Sequence, residues 1–169
     1  MKTNKIIKLV TAALLASITC VATITIKINY GTGGGYIHPG DAFVLLSGII
    51  LGPLYGGISA GIGSMFADLF LGAPQYAAAT FVLKLLTAVA SGIIYRKIRF
   101  LPVVFAGIIG GIIVTSGYFI YERFLYGTFG AALVGVPFNI IQNLAALVMA
   151  FLLLPLLKKV PQIKAMMEK

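Results

Sequence analysis

Apolar residues run along this chain in blocks and do not alternate with polar ones. Over 6–27, 40–52, 54–71, 77–95, 101–121 and 131–157 the sequence is dominated by Leu, Ile, Val, Ala, Phe and Gly, with short polar or Gly-Pro breaks between. Most blocks are roughly 17 to 25 residues long, enough to cross about 30 Å of hydrocarbon as a helix. The apolar/polar alternation of a membrane barrel is missing. The pattern predicts an all-α integral membrane protein, one transmembrane domain over 1–169 folded as a bundle of six helices. The second block is short, and the Gly52-Pro53 turn that follows leaves little chain outside the membrane, so five spans is the alternative count.

Composition agrees: 60% of the residues are hydrophobic, 10% are charged, and the mean hydropathy is +1.04, far from a soluble domain. The start of the chain, MKTNKIIKLVTAALLASITC, has the basic and apolar regions of a secretory signal. However, Ser17, Ile18 and Thr19 make a poor cleavage site, and the apolar run continues to Ile26. A retained first span is the better reading. Cys20, the single cysteine, has no disulfide partner and reads as a packing residue.

Charge then orients the bundle. With both termini cytoplasmic, Lys2, Lys5, Lys8, Arg96, Lys97, Arg99, Lys158, Lys159, Lys164 and Lys169 lie inside, ten of the thirteen Lys and Arg. That bias is the expected positive-inside signature. Lys27 and Arg123 fall outside and Lys84 within a span. The net charge of +9 is therefore a topology signal, and its scatter over helix ends argues against nucleic acid as a partner.

In this orientation the costly polar residues share the outer half of the membrane or its surface. They are His38, Asp41, Asp68, Gln75, Tyr76, Lys84, Tyr118, Glu122, Asn139, Gln142 and Asn143, while the inner halves read as Leu, Ile, Val, Ala and Gly. Ionisable groups at such depth cost several kcal/mol unless paired or facing water. A pathway through the membrane needs polar groups across its thickness. One-sided placement predicts a pocket open outside and closed below.

Local roles remain open for several of these. Asp41 follows Pro39-Gly40 at a helix start and either caps it or meets a ligand. Asp68, near a helix C-terminus, needs a cation, and Lys84 on the next helix is within reach, so a structural Asp68–Lys84 bridge competes with ligand contact. Asn139, Gln142 and Asn143 follow i, i+3, i+4 spacing on one helix face, suited to helix–helix bonding or to a pocket. The outer tyrosines suit an interfacial belt or stacking on a flat ring. Small residues at four-residue spacing, including Ala12 and Ala16, allow close helix approach. No P-loop, metal-ligand spacing or activated nucleophile is present, so the sequence predicts no catalytic site, no metal and no cofactor.

The Ala12-xxx-Ala16 helix, the stretch YIHPGDAFVLLSGIILGPLYGGISAGIGSMFADLF (36–70) and the plan of six spans with both termini inside resemble the substrate-binding S components of energy-coupling factor (ECF) transporters. The resemblance covers nearly the whole chain and points to the riboflavin-type branch, whose relatives include vitamin B6 and thiamine-precursor binders. It implies a multi-pass protein of a bacterial plasma membrane that captures a vitamin from outside. Such a protein docks on a T subunit and two ATPases, which hydrolyse the ATP, and topples to release its substrate inward. Docking would use Ala12 and Ala16. Substrate would meet Tyr36, His38, Asp41, Gln75, Tyr76, Lys84, Tyr118, Asn139 and Asn143, with the glycine-rich 31–35 segment as a mobile lid. A small hydroxylated pyridine suits a compact pocket of amides, Asp, Lys and tyrosines, which orders the substrates as vitamin B6, riboflavin, then a thiamine precursor. A stand-alone carrier or channel working through Asp68 and Lys84, and a structural membrane protein with no ligand, are the alternatives.

Overall fold

A computed structural model describes residues 5–30 and 35–167. Among them are seven helices and one hairpin: α1 (Lys5–Thr25), β1 (Ile28–Tyr30), β2 (Gly35–Ile37), α2 (Gly40–Leu51), α3 (Pro53–Phe70), α4 (Pro74–Lys97), α5 (Pro102–Tyr126), α6 (Phe129–Leu157) and α7 (Pro161–Met167). The six-helix count is therefore inexact. A short seventh helix follows the bundle, and the connection after α1 holds a two-stranded hairpin that apolar blocks cannot reveal. Residues 31–34, expected as the lid tip, and the terminal Lys2 and Lys169 lie outside the described residues.

By length and composition α1, α4, α5 and α6 can each cross a membrane. Their outward faces carry large exposed apolar side chains such as Leu14, Ile112, Phe124 and Leu152, as lipid requires. Proline opens α3, α4 and α5 in the first helical turn, where its missing N–H costs nothing. Gly127 closes α5 in the left-handed conformation at φ 72°, and the Thr128 hydroxyl accepts from Ala131 N at 3.3 Å to cap α6.

α2 is the centre of the bundle. Eleven of its twelve residues are buried, and it packs against α1, α3, α4 and α6, with α7 beneath it. An all-round apolar helix demands such enclosure. In lipid, helices associate through close backbone approach, and glycine makes it possible here. A Cβ on Gly48 would stand 1.9 Å from Ala88 O, and one on Gly63 would stand 2.3 Å from Ala16 O. On Gly56 it would stand 2.3 Å from Ser47 O. Gly56→Ala is expected to force α2 and α3 apart at a cost of roughly 1–3 kcal/mol, visible as a lower Tm of the purified protein.

The length of α2 creates the site. α2 and α3 are joined at Gly52, whose φ of 87° suits glycine. From that turn, twelve residues rise about 18 Å and eighteen about 27 Å. α2 consequently begins about two turns lower than the outer end of its neighbour. The step above its N-terminus is where the polar residues gather.

Candidate functional site

Above the sunken start of α2 the outer ends of α3 to α6 enclose a cavity of about 30 Å³, room for a water or two. Each wall helix contributes residues one turn apart. α3 supplies Ser64 and Asp68, α4 supplies Tyr76 and Thr80, α5 supplies Tyr118 and Glu122, and α6 supplies Asn139 and Gln142. The roof comes from Tyr36 and His38 beside the hairpin, and Thr23 closes the α1 side.

The hairpin strands pair antiparallel with Ile28 opposite Ile37 and Asn29 opposite Tyr36. Two hydrogen bonds tie this roof to α3 and α6. The Tyr36 hydroxyl donates to Asp68 Oδ1, and the His38 N–H donates to Gln142 Oε1 at 2.9 Å. Burial and the adjacent Asp68 carboxylate push the Tyr36 phenol far above its ordinary value, so it remains a donor. Burial pushes the His38 imidazole down to about 4, against the pull of Asp41, and the ring is neutral at physiological pH. Its Nδ1 accepts from Gly40 N at 3.1 Å, which leaves the ring proton on Nε2.

Below the cavity lies a buried ionic floor. Lys84, 1% exposed, pairs with Asp41 Oδ1 at 2.7 Å and donates to Oδ2 at 2.8 Å. Gln142 Nε2 donates to the same Oδ2 at 2.6 Å, and the Lys84 ammonium stands 5.3 Å from the centre of the Tyr118 ring. The expected Asp68–Lys84 bridge is thus not the ion pair formed. Asp41 lies in the first turn of α2 and meets Lys84 two turns down α4, whereas Asp68 sits a step higher and receives Tyr36. Asp41 does not cap α2 either: its oxygens meet Lys84 and Gln142, and the first N–H of α2, on Gly40, is taken by His38 Nδ1.

Around the mouth, the Tyr76 hydroxyl donates to Glu122 Oε1 at 3.1 Å and touches the Tyr126 hydroxyl. Thr80 and Tyr118 share a hydrogen bond of 2.8 Å. Two buried polar atoms on the cavity wall, Ser64 Oγ and Asp68 Oδ2, have no hydrogen-bond partner among the described residues. Their residues are 2% and 4% exposed. Unsatisfied polar atoms this deep are costly and mark a place where something else supplies the partner.

Of the residues expected at a site, Tyr36, His38, Tyr76, Tyr118 and Asn139 line the cavity, and Asp41 and Lys84 form its floor. Two do not belong. Gln75 has an exposed side chain, and only its backbone carbonyl takes part, accepting from Tyr121. Asn143 faces the α5–α6 seam, donating to Asn139 O at 2.6 Å and Thr115 Oγ1 at 3.3 Å. There it borders an apolar groove of about 580 Å³ on the outer face of the bundle. Three amides at i, i+3, i+4 span too wide an arc for one small cavity, and the third turns to the neighbouring helix. Thr23, Ser64 and Thr80 join the lining as residues not expected there, and Glu122 and Gln142, counted among the outer polar residues but not among the substrate contacts, line it as well.

A bundle whose central helix starts below an outward polar cavity suits capture of a small solute. Residues 3–159 match the family model described as ECF-type riboflavin transporter, S component. The chain belongs to this family of S components. It is 32% identical over 112 residues, 66% of this chain and 75% of the relative, to a Pyrococcus woesei protein described as "Uncharacterized protein in gap 3'region". A solved structure of the S component of a bacterial ECF transporter superposes with a TM-score of 0.73, at 23% identity, over 92% of this chain and 98% of that one. That likeness shows the fold. The S component is the substrate-binding part of a vitamin transporter and not an enzyme, and this chain is a multi-pass membrane protein.

In the same frame, Ala12 and Ala16 are half-buried where α1 meets α3. The Ala12 carbonyl accepts from Ser59 Oγ at 2.6 Å, and Ala16 lies against Gly63. The small side chains exposed on this part of α1 are Ala13 and Ser17.

Proposed function

We propose that this S component captures vitamin B6 from the outer side of a bacterial plasma membrane, in the cavity above α2. It then delivers the vitamin inward by docking on a T subunit carried by two ATPase subunits. The observation that supports a bound solute most directly is the pair of orphaned polar atoms, Ser64 Oγ and Asp68 Oδ2, on the cavity wall. A ring nitrogen or hydroxyl of a pyridine satisfies such atoms. The tyrosines Tyr36, Tyr76 and Tyr118 offer flat apolar faces to the ring. Compactness favours a single substituted ring over the three fused rings of riboflavin, which is the second choice, ahead of a thiamine precursor.

At about 30 Å³ the cavity is too small to hold a vitamin, so uptake of any vitamin requires the roof to lift. Only Tyr36 to Asp68 and His38 to Gln142 hold that roof to α3 and α6 by hydrogen bonds among the described residues. The strands β1 and β2, with His38, therefore act as a lid with its hinge at the end of α1.

Docking falls to the cytoplasmic half of α1, where Ala12 and Ala16 draw the helix against α3 and leave Ala13 and Ser17 on the outside. Ala13→Phe is expected to abolish ATP-dependent uptake in proteoliposomes containing all subunits, with vitamin affinity unchanged. Loss of affinity in that variant would place α1 in the pocket and contradict the docking role. Vitamin identity is tested by the absorbance spectrum of gently purified protein. A vitamin B6 spectrum is expected, and a yellow protein would replace B6 with riboflavin.

A further inference from the structure

The charges around the cavity do not balance. On the floor, Lys84 and Asp41 cancel as a 2.7 Å pair. On the roof, His38 is neutral and Tyr36 is a hydrogen-bond donor. On the walls, α3 presents Asp68 and α5 presents Glu122, each 4% exposed. α4 adds Tyr76 and Thr80, and α6 adds two amides. No Lys or Arg is among the lining residues. Each carboxylate holds one phenol, Tyr36 on Asp68 and Tyr76 on Glu122, yet a phenol brings no positive charge. Asp68 Oδ2 keeps an open position beside the equally unpartnered Ser64 Oγ.

Carboxylates at membrane depth remain ionised only beside a cation; Lys84 acts on Asp68 from a distance while its ammonium is held by Asp41, and among the described residues no Lys or Arg forms an ion pair with Asp68 or Glu122. We propose that the site selects a ligand bearing a positively charged nitrogen, which the Asp68 and Glu122 carboxylates receive. The inference rests on the vitamin-binding reading above and narrows it to amine-bearing or cationic heteroaromatics. The phenol rings beside both carboxylates reinforce the choice, because a cation gains from an aromatic face. Ser64 Oγ would take up a hydroxyl of the same ligand.

Pyridoxamine and pyridoxine test this, since they differ at one position by ammonium against hydroxyl. Isothermal titration of the purified, ligand-stripped full chain should show pyridoxamine binding at least tenfold tighter. D68N and E122Q should each bring the ratio of the two affinities toward one. Wild-type protein alone decides the main point, so a poorly folding variant does not obscure it. Equal affinities, or preference for pyridoxine, would overturn the charge selection and leave the vitamin-binding function standing. Tight binding of neutral riboflavin with neither pyridine bound would overturn both the charge selection and the vitamin B6 assignment. A protein that retains no small molecule of any kind would overturn the binding function itself.

Discussion

Lys84→Met is expected to destabilise the protein by roughly 3–5 kcal/mol, because it leaves the Asp41 carboxylate buried without its cation. Asp41 is 3% exposed and lies against the ammonium of Lys84. Gln142 alone cannot replace that charge. The double variant Lys84→Met with Asp41→Leu removes both charges and should recover most of the loss, as apolar replacements of buried pairs do. Thermal unfolding in detergent reads both results. A single variant as stable as the wild type would mean that the pair is not the floor of the site. The stand-alone carrier working through Asp68 and Lys84 predicts instead that neutralising either of those two residues alters an ion-dependent flux.

Gln142→Leu carries the second large effect. The side chain holds the lid through His38 N–H and the floor through Asp41, so its loss frees the roof and leaves a polar backbone group unsatisfied. Hydrogen bonds to charged groups contribute about 1.5–3 kcal/mol, which corresponds to vitamin binding weakened by roughly tenfold to a hundredfold. The change should fall mainly on the dissociation rate, since the lid then opens more readily. Unchanged dissociation with a lower Tm would assign Gln142 to helix packing.

Much of this was legible in the chain. The apolar blocks set out the helices to within a few residues, and the lysines and arginines oriented them, because hydrocarbon thickness and surface charge act on any sequence alike. Polar residues confined to the outer half already located the pocket. A finer signal lay in the spacing: Ser64 and Asp68, Tyr76 and Thr80, and Tyr118 and Glu122 are each four residues apart at the outer end of a helix. Such pairs share one face, and pairs on three successive helices mark a common cavity. Ser64 and Thr80, uncharged and small, stand out only as members of these pairs.

Ion pairing could not be read the same way. Lys84 reaches Asp41 and not Asp68 because α2 starts about two turns below the end of α3, a consequence of its length that shows only when the helices are stacked. Asn143 failed for an angular reason. One helical position beyond Gln142, it turns from the cavity to α5 and bonds Thr115. The hairpin was hidden because three-residue strands leave no periodic trace, and α7 because seven residues after a Lys-Lys break resemble a tail. Ala12 and Ala16, expected as a docking surface for another protein's helix, lie half-buried against the chain's own α3.

Capture of a vitamin without ATP is the central claim, and native mass spectrometry of the purified chain tests it most directly. The account predicts a one-to-one complex with a B6 vitamer that survives without nucleotide or partner subunits and is weakened in Gln142→Leu. A chain that carries no small molecule, yet moves solute by itself when reconstituted alone in vesicles, would contradict it.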